Sequence, residues 1–365
     1  MASYFDYLSV RHDVLVRNLI INKFKFKPKM AKHAFLAALI TGVFVPFYVA
    51  ENVYYACKIK REKVKVEKPV FVLGHWRTGT TLLVNYLSRD PQFSFLDPLK
   101  AVSINTFLIG KTLSSQAQKE LFSKMRTYDN MEYKVGLPYE EYVAFAFRYP
   151  YSTWTMNHFP QAKDYYINFA FVDELPEKRK KDWLKHYDKL LKRMVLKCGD
   201  RLLLKSPDAT ARSLLLKTQY PDAKFVNIYR DPYVTVRSTI NLYQKMFDSY
   251  GMQETPSYEE LEDFVISTFK RMYLKFFEDI KHIPDEDFIE FRFEDFELDP
   301  LTCLKAAYDK FGWDYEKTKD YFSSYKQSLV GYKKNEFDYK ESLIKKVNAE
   351  LGFYFEHYGY TKREI

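Results

Sequence analysis

The segment that most constrains the fold of this 365-residue chain runs from Pro69 to Leu83 and reads PVFVLGHWRTGTTLL. An apolar run ends at Gly74, and after a short loop Gly79 leads into a stretch of helical character. Glycine at both positions permits a backbone turn that a side chain would obstruct. The first amides of a helix lack intrahelical partners, so they and the helix dipole favour a bound anion. The segment therefore predicts a strand, an anion-binding loop and a helix, with the loop formed by Gly74, His75, Trp76, Arg77, Thr78, Gly79, Thr80 and Thr81.

The loop departs from the nucleotide-binding pattern Gly-x-x-x-x-Gly-Lys-[Ser/Thr] at its lysine. Thr80 stands where that lysine should be, and the cation lies inside the loop at Arg77. The missing lysine weakens an interpretation as an ATPase or GTPase. A glycine loop alone is also compatible with an ordinary strand-to-helix turn, but an arginine, two glycines and two threonines together favour anion binding.

Two further apolar runs end in residues that suit an anion. The first reads KFVNIYRDPYVTVRS from Lys224 to Ser238, and the second ends in Lys205-Ser206-Pro207. Pro232 suits the first turn of a helix, and Arg230 at a strand end offers a rigid, forked guanidinium for a phosphate. Taken alone, the Arg-Asp-Pro sequence is equally compatible with a turn that holds a local ion pair.

These motifs together resemble the sulfotransferase superfamily. Its members carry a basic residue followed by Ser/Thr-Gly-Thr-Thr, a loop that holds the 5′-phosphosulfate of 3′-phosphoadenosine 5′-phosphosulfate (PAPS), and Arg77 to Thr81 match that pattern. The resemblance assigns Arg230 and Ser238, which have the family's spacing, to the 3′-phosphate. It assigns Lys205, at the end of its strand, to the transferring sulfuryl group.

The resemblance extends from about Pro69 to Pro300 and implies further site residues. Phe293 stands where the family has an aromatic residue near the adenine, and Lys333 and Lys334 match loosely a late basic loop that grips the 3′-phosphate. The similarity is closest to a bacterial branch written Gly-His-Trp-Arg-[Ser/Thr]-Gly-Thr-Thr. Two other patterns of that branch occur here, Asp-Asn-Met at 129–131 and Pro-Tyr-Glu-Glu at 138–141.

Short apolar runs alternate with helical stretches from residue 68 onward, which predicts an α/β fold. The expected strands are Val70–Gly74, Arg201–Lys205, Phe225–Tyr229 and Phe288–Phe293. The expected helices are Thr80–Ser88, Glu177–Lys197, Ala209–Thr218, Pro232–Phe247, Ser257–Ile280 and Pro300–Phe311. We expect a P-loop-like three-layer sandwich with a central parallel sheet and helices on both faces. Ligands of such sheets bind at the carboxyl ends of the strands, where all three motifs lie, and residues 90–180 are the expected acceptor pocket and lid.

The first 68 residues differ from the rest, and we expect domains at 1–68 and 69–365. Lysines concentrate between residues 22 and 32, and Ala34 to Ala50 is a run of 17 residues without charge that includes Gly42 and Pro46. A run of this length is at the short limit for crossing a bilayer. Three interpretations remain open, namely a buried helix of the catalytic domain, a surface anchor at the membrane interface, or a true span. The N-terminal helical segment is thus predicted to be a pocket lid or to associate with the membrane.

Charge and cysteine usage narrow the possible partners. The chain has 57 Lys and Arg against 48 Asp and Glu, a formal net charge of +9 that suits an anionic cofactor or a membrane surface. No nucleic-acid-binding signature is present. Three scattered cysteines provide neither a metal spacing nor a disulfide framework, so we expect a cytoplasmic protein. Peripheral association with the inner face of the membrane remains open.

Sulfuryl transfer requires stabilisation of the charge that develops on the leaving phosphate and the sulfuryl oxygens. Arg77 and Lys205 are the catalytic candidates, and no carboxylate cluster suggests a metal. A neutral alcohol also needs a general base. The candidates are first Glu140 and Glu141, which would point about 100° apart on a helix, and then Asp97, His75 and His158.

The favoured interpretation is a PAPS-dependent sulfotransferase that acts on a hydroxyl of a hydrophobic acceptor such as a sterol, lipid alcohol or phenol and releases adenosine 3′,5′-bisphosphate. The aromatic content, with 31 Tyr and 31 Phe, and the apolar N-terminal run favour such an acceptor over a carbohydrate. The alternatives are a P-loop nucleotide kinase or NTPase, a carbohydrate sulfotransferase, and a catalytically silent protein that binds the membrane surface.

Overall fold

A four-stranded parallel sheet lies at the centre of the α/β fold. A computed structural model describes residues 7–110, 136–329 and 337–364. Its strands are β1 (Val70–Leu73), β2 (Leu203–Lys205), β3 (Lys224–Tyr229) and β4 (Phe288–Arg292), in the spatial order β2-β1-β3-β4. The predicted α/β class with a central parallel sheet is confirmed.

The register brings the ends of the strands to one edge of the sheet. Val72 of β1 lies opposite Lys205 of β2 and Val226 of β3. All four side chains of β1 are buried, as expected for a parallel strand that is covered on both faces. The loops that follow β1, β2 and β3 therefore leave the sheet at the same edge.

Helices make up most of the remaining described chain. Up to the long central helix they are α1 (His12–Ile21), α2 (Pro28–Val43), α3 (Val45–Glu62), α4 (Thr80–Leu87), α5 (Pro98–Val102), α6 (Glu141–Arg148), α7 (Lys163–Tyr166) and α8 (Glu177–Cys198). They continue as α9 (Ser213–Gln219), α10 (Pro232–Tyr250), α11 (Tyr258–Ile280), α12 (Phe293–Leu298), α13 (Pro300–Phe311), α14 (Lys319–Ser328), α15 (Glu341–Glu350) and α16 (Gly352–Tyr358). Helix α11 begins one residue after the predicted start, because Ser257 is its cap: the Ser257 hydroxyl accepts the amide of Glu260, and the Glu260 carboxylate accepts the amide of Ser257.

Several predicted element boundaries were wrong by one to four residues, and two of these errors affect the site. The stretch 207–212 is a 3₁₀ helix, and the α-helix begins only at Ser213. In that tighter turn the Thr210 hydroxyl accepts a hydrogen bond from the Gly74 amide at 2.8 Å, which ties it to the end of β1. Phe293, predicted as the last strand residue, instead opens α12, whose first turn carries two acidic residues that suit a helix N-terminus.

The chain divides into two compact units, and neither is continuous in sequence. The first draws on Met1–Val66, Ser94–Leu202 and Tyr243–Pro256, and the second on Glu67–Phe93, Leu203–Leu242 and Ser257–Ile365. The sheet, the loop after β1 and the strand-end motifs all belong to the second unit. The predicted functional boundary at residue 68 stays a prediction.

The uncharged run near the N-terminus is broken in its middle. Helix α2 ends at Val43, α3 begins at Val45 with Pro46 in its first turn, and the two helices are bent by 50°. Within the described residues no single helix is long and apolar enough to cross a membrane. The two bent helices taken together meet that requirement by length and composition. The buried-helix interpretation does not fit, because Phe35 and Val43 expose 67% and 71% of their surface.

Candidate functional site

The loop after β1 depends on glycine at both ends. Gly74 has a φ of +139°, and a Cβ atom there would lie 2.5 Å from the carbonyl oxygen of Ile228. Gly79 has a φ of +106°, and its Cβ would lie 2.3 Å from the Phe293 ring. Both backbone conformations are strained for other residues. Within the loop, the amide and the hydroxyl of Thr78 donate to the carbonyl of His75 at 3.2 and 2.8 Å.

Arg77 links the loop to the helix of the second motif. Its φ of +72° is a left-handed conformation that a non-glycine residue rarely adopts. Its Nε donates to Ser238 Oγ at 3.0 Å, and Ser238 lies on α10. Strain of this kind persists only where the surroundings hold it, and it concentrates at functional sites. The contact joins two residues that the sequence analysis assigned to separate parts of one cofactor.

Arg230, at the carboxyl end of β3, is held from several sides. Its guanidinium lies over the Phe293 ring, 4.0 Å from the centroid, and its Nη1 donates to the carbonyl of Arg77 at 3.4 Å. The phenol of Tyr354 donates to the Arg230 carbonyl at 3.0 Å. Burial lowers the pKa of Arg230 and the neighbouring Arg77 lowers it further, whereas Glu294 opposes the shift. A bound anion would offset both the burial cost and the repulsion between the two arginines.

Lys205 brings a third cation to the same unit. It ends β2, is almost fully buried, and donates from Nζ to Thr81 Oγ1 on α4 at 3.3 Å. The second unit therefore connects the cations of the three motifs to the hydroxyls of Thr81 and Ser238. The parallel register explains why residues so distant in sequence meet at these positions.

His75 and Trp76 are buried inside the loop. His75 Nδ1 donates to the carbonyl of Trp76 at 2.9 Å, and its ring packs against Phe269 with centroids 4.8 Å apart. Burial lowers the pKa of His75 to about 4, so the imidazole is neutral at neutral pH. This environment suits a residue that shapes the loop and makes His75 a weak base.

Glu140 and Glu141 belong to the first unit and differ in their surroundings. Glu141 begins α6, is fully buried, and accepts a hydrogen bond from the Tyr187 hydroxyl at 3.0 Å. Glu140 precedes the helix with an extended backbone and is half-buried. The expectation that both glutamates lie on one helix was therefore wrong.

The remaining base candidates also lie in the first unit and have structural contacts. Asp97 caps α5 by accepting the Lys100 amide at 2.9 Å, and it pairs with the Lys100 ammonium at 3.0 Å. His158 is buried edge-on against Tyr7, with ring centroids 4.9 Å apart. The predicted cofactor residues Lys333 and Lys334, and the Asp-Asn-Met sequence at 129–131, lie outside the described residues.

Sequence reasoning missed three residues that hold the site. Thr210 accepts from the Gly74 amide, Thr239 donates to the Trp76 carbonyl at 3.1 Å, and Tyr354 supports Arg230. Thr239 directly follows Ser238 and Thr210 closely follows Pro207, so their proximity to motifs was a usable signal. Tyr354 had none, because it lies far along the chain among many aromatic residues. Across the described ranges, no group of three or more His, Cys, Asp or Glu side chains could hold a metal ion.

Comparison with known proteins matches residues 69–317 to the model of the Sulfotransferase family. An omega-hydroxy-beta-dihydromenaquinone-9 sulfotransferase of Mycobacterium bovis is 26% identical over 348 residues, which cover 95% of this chain and 89% of that protein. Sulfotransferase STF9 from Mycobacterium avium superposes with a TM-score of 0.66 at 16% identity, with 98% of each chain covered. Sulfotransferase STF1 from Mycobacterium tuberculosis gives 0.60 at 15% identity, over 93% of this chain and 90% of that one.

The two solved structures share the fold, while the family match covers the loop after β1 and the strand-end motifs that meet in the second unit. The chain therefore belongs to the sulfotransferase family and is a sulfotransferase enzyme.

Proposed function

We propose that this sulfotransferase moves the sulfuryl group of PAPS to the hydroxyl of a lipid alcohol and releases adenosine 3′,5′-bisphosphate. The observation that carries the proposal is the chain of contacts from Ser238 through Arg77 to Arg230 and Phe293, beside the glycine loop. Two arginines this close, one of them largely desolvated, favour a ligand with more than one anionic group.

The residues present fit PAPS by two independent features. A Cβ atom at Gly74 or Gly79 would clash with the surrounding protein, so the two glycines allow a tight turn whose amides, at the start of α4, can face a phosphate. The cations lie on three different strand ends or loops, which suits separate anionic groups on one nucleotide. We assign Arg230 and Ser238 to the 3′-phosphate, and the loop amides with Thr80 and Thr81 to the 5′-phosphosulfate.

PAPS supplies an activated sulfuryl group when it is bound. Arg77 and Lys205 then stabilise negative charge on the sulfuryl oxygens and the leaving phosphate oxygen. Thr81 orients the Lys205 ammonium through their hydrogen bond, and the burial of Lys205 excludes water that would weaken its field. The Phe293 ring packs against the Arg230 guanidinium. Its proposed position near the adenine follows from the family resemblance.

The general base is proposed to be Glu141 or Glu140. The buried carboxylate of Glu141 accepts a hydrogen bond from Tyr187, which fixes its orientation and favours Glu141 over Glu140. Its role is to hold the proton that the acceptor hydroxyl loses during the attack on sulfur.

The proposed acceptor class rests on one relative and one feature of this chain. The relative from Mycobacterium bovis is named for an omega-hydroxylated dihydromenaquinone, a lipid that carries a hydroxyl. This chain has an uncharged run near its N-terminus, which favours an apolar environment for the acceptor. Sterols and phenols belong to the same hydrophobic class and serve as comparison acceptors.

Incubation with PAPS and a panel of acceptors tests the proposal. The panel contains long-chain primary alcohols, hydroxylated isoprenoid quinones, sterols, phenols and monosaccharides, and mass spectrometry detects products heavier by one sulfuryl group. We expect sulfation of a lipid alcohol together with release of adenosine 3′,5′-bisphosphate. Sulfation of sugars alone, or phosphorylation with ATP and magnesium, would overturn it.

We also propose a cytoplasmic enzyme that associates peripherally with the membrane through residues 1–68. A lipid acceptor resides in the bilayer, so an enzyme that meets it there avoids extracting a free lipid from water. The lysines before Ala34 and the apolar residues after it support this location.

A further inference from the structure

The bent pair of helices α2 and α3 buries alanine and hydroxylated or acidic residues on its inner side and exposes large aliphatic and aromatic residues on its outer side. Its buried residues repeat at helical spacing and include Ala34, Ala37, Thr41, Tyr48, Glu51 and Tyr55. Its exposed large apolar residues are Phe35, Leu36, Leu39, Val43, Phe44, Val45, Phe47, Val49, Val53 and Tyr54. The large apolar residues thus lie outside, whereas a helix that packs on the core of a protein in water buries them.

Polar contacts within the first unit fix which side of the pair faces inward. A hydrogen bond of 3.2 Å joins Thr41 Oγ1 to His12 Nδ1. Glu51 Oε2 accepts the amides of Leu108 and Ile109, both at 3.2 Å. Rotation of the helices to bury their apolar side would leave these groups without partners, which is unfavourable for buried polar groups.

Two buried arginines add further polar contacts to the inner side of α3. Arg193 Nη2 donates to Asn52 Oδ1 at 3.0 Å, and Arg148 donates to the same oxygen. The Arg193 guanidinium also lies over the Tyr55 ring, 3.6 Å from its centroid. Arg148 lies on α6 and Arg193 on α8, and both are buried. Their contacts therefore hold the inner side of α3 against these two helices. The outward orientation of the apolar side is therefore a property of the folded unit.

The charge around the apolar side indicates what covers it. Residues 21–61 contain eight lysines and arginines and a single acidic residue, Glu51, which is fully buried. The basic residues lie at the two ends, at Lys23 to Lys32 and at Lys58 to Arg61, and the stretch between Ala34 and Ala50 has none. An apolar centre flanked by cations complements a bilayer that carries anionic headgroups. Exposed apolar surface of this extent is unusual on a monomer that stays in water.

We propose that the outer side of α2 and α3 docks on an anionic lipid bilayer. Phe35, Leu39, Val43 and Phe47 enter the boundary between headgroups and acyl chains, and the flanking lysines contact anionic headgroups. The benefit of this docking rests on the proposed function, because it would place the enzyme where a lipid alcohol is dissolved. The bend at Phe44 keeps the pair along the surface.

Co-sedimentation of the full chain with vesicles tests the docking surface. We expect binding to phosphatidylglycerol vesicles that weakens as salt rises, and little binding to phosphatidylcholine vesicles. The double variant Phe35→Ser/Phe47→Ser should weaken binding by about tenfold or more for each phenylalanine removed. Leu298→Ser is the matched control, because Leu298 exposes 82% of its surface in the other unit, and it should bind like the unsubstituted chain.

A second pair of variants tests the charge. Lys23→Glu/Lys25→Glu should weaken binding to phosphatidylglycerol vesicles and flatten its dependence on salt. Both lysines are exposed, so the fold should survive their replacement. The proposal would be overturned if both the phenylalanine variant and the lysine variant bound these vesicles as well as the unsubstituted chain does.

The docking and the enzymatic proposals fail separately. Turnover with a short, water-soluble alcohol should be the same in the unsubstituted chain and in the phenylalanine variant. Turnover without vesicle binding would overturn the docking and leave the activity intact. Vesicle binding without sulfation of any acceptor would support the docking and reject the activity. Self-association through this side, seen by light scattering and abolished by the phenylalanine variant, with no vesicle binding, would assign the surface to a second copy and overturn the docking.

Discussion

At the residue scale, the candidate site depends on a few side chains whose position is unusual for their type. Arg77 has a left-handed backbone, Arg230 is a largely desolvated cation on an aromatic ring, and Gly79 fits against that same ring. Each feature costs folding free energy unless a ligand or a close contact compensates for it. Single substitutions should therefore separate ligand binding from stability.

Replacement of Arg230 by Gln should weaken binding of adenosine 3′,5′-bisphosphate by about 10- to 100-fold, because a charge-assisted hydrogen bond contributes about 1.5–3 kcal/mol. Binding of 5′-AMP, which lacks the 3′-phosphate, should change little. Titration calorimetry with both nucleotides measures the difference. Arg292→Gln, at the end of the neighbouring strand β4, is the control and should leave both affinities unchanged. Equal affinities of the unsubstituted enzyme for the two nucleotides would contradict the assignment.

Substitution of Gly79 by Ala should destabilise the protein and weaken nucleotide binding. The new Cβ would lie 2.3 Å from the Phe293 ring, and the φ of +106° adds backbone strain. The double variant Gly79→Ala/Phe293→Ala should recover part of the stability lost to the clash, but not the part due to strain. Thermal unfolding of the single and double variants measures this coupling, and strictly additive losses would argue against the contact.

The burial of His75 should make stability depend on pH. Its pKa is lowered by burial from 6.5 to about 4, so the unfolded chain binds the proton more readily than the folded one. The contribution of the neutral His75 to the free energy of unfolding is fully present above pH 6.5. It is lost as pH falls towards 4, by about 3 kcal/mol in total. Denaturant unfolding at several pH values should show a smaller loss for His75→Gln over this window. Parallel curves for the two proteins would refute the assignment.

At the element scale, helix α6 presents the two candidate bases in different ways. It begins at Glu141, whose carboxylate is buried and held by Tyr187 from α8, whereas Glu140 lies before the helix. The packing of α6 against α8 thus gives two adjacent glutamates different burial and different partners, which the sequence of α6 alone would not show.

Replacement of Glu141 by Gln should lower turnover by about 10²–10⁴-fold if it is the base. Nucleotide affinity should stay the same, and the loss should shrink for a phenol of low pKa, which ionises with less help. Steady-state kinetics with an aliphatic alcohol and a phenol measure both effects, with Glu140→Gln as the matched control. If only Glu140→Gln shows the effect, Glu140 is the base. Near-normal turnover in both would move the search to Asp97, His75 and His158.

At the scale of the whole molecule, the chemistry is assigned to fixed cations of the protein. Arg77 and Lys205 are proposed to stabilise the transferring group, and both are held by side-chain hydrogen bonds. We therefore expect turnover to survive EDTA at full rate. A kinetic assay with PAPS before and after chelation checks this, and a strict magnesium requirement would favour the kinase interpretation. Added magnesium should act no differently from another divalent salt of equal ionic strength.

Local sequence was sufficient for the loop after β1, for the four strands and for the approximate positions of the six predicted helices. Glycine spacing, apolar runs and capping residues act on near neighbours, so their effect can be read without knowledge of the fold. Ser257 and Glu260 at the start of α11 illustrate this, since both partners of the cap lie in one turn. The α/β class followed because the motifs recur at the ends of successive apolar runs.

The tertiary structure alone decided which distant residues meet and which side of a helix faces outward. Thr210 ties the 3₁₀ turn to β1, Tyr354 supports Arg230, and Phe293 leaves room only for glycine at Gly79. The apolar run between Ala34 and Ala50 was compatible with a buried or an exposed helix. Its orientation was settled by buried partners such as Arg193, which lies 141 residues from its contact Asn52. Contacts of that range depend on the packing of the complete unit, and no local pattern of residues encodes them.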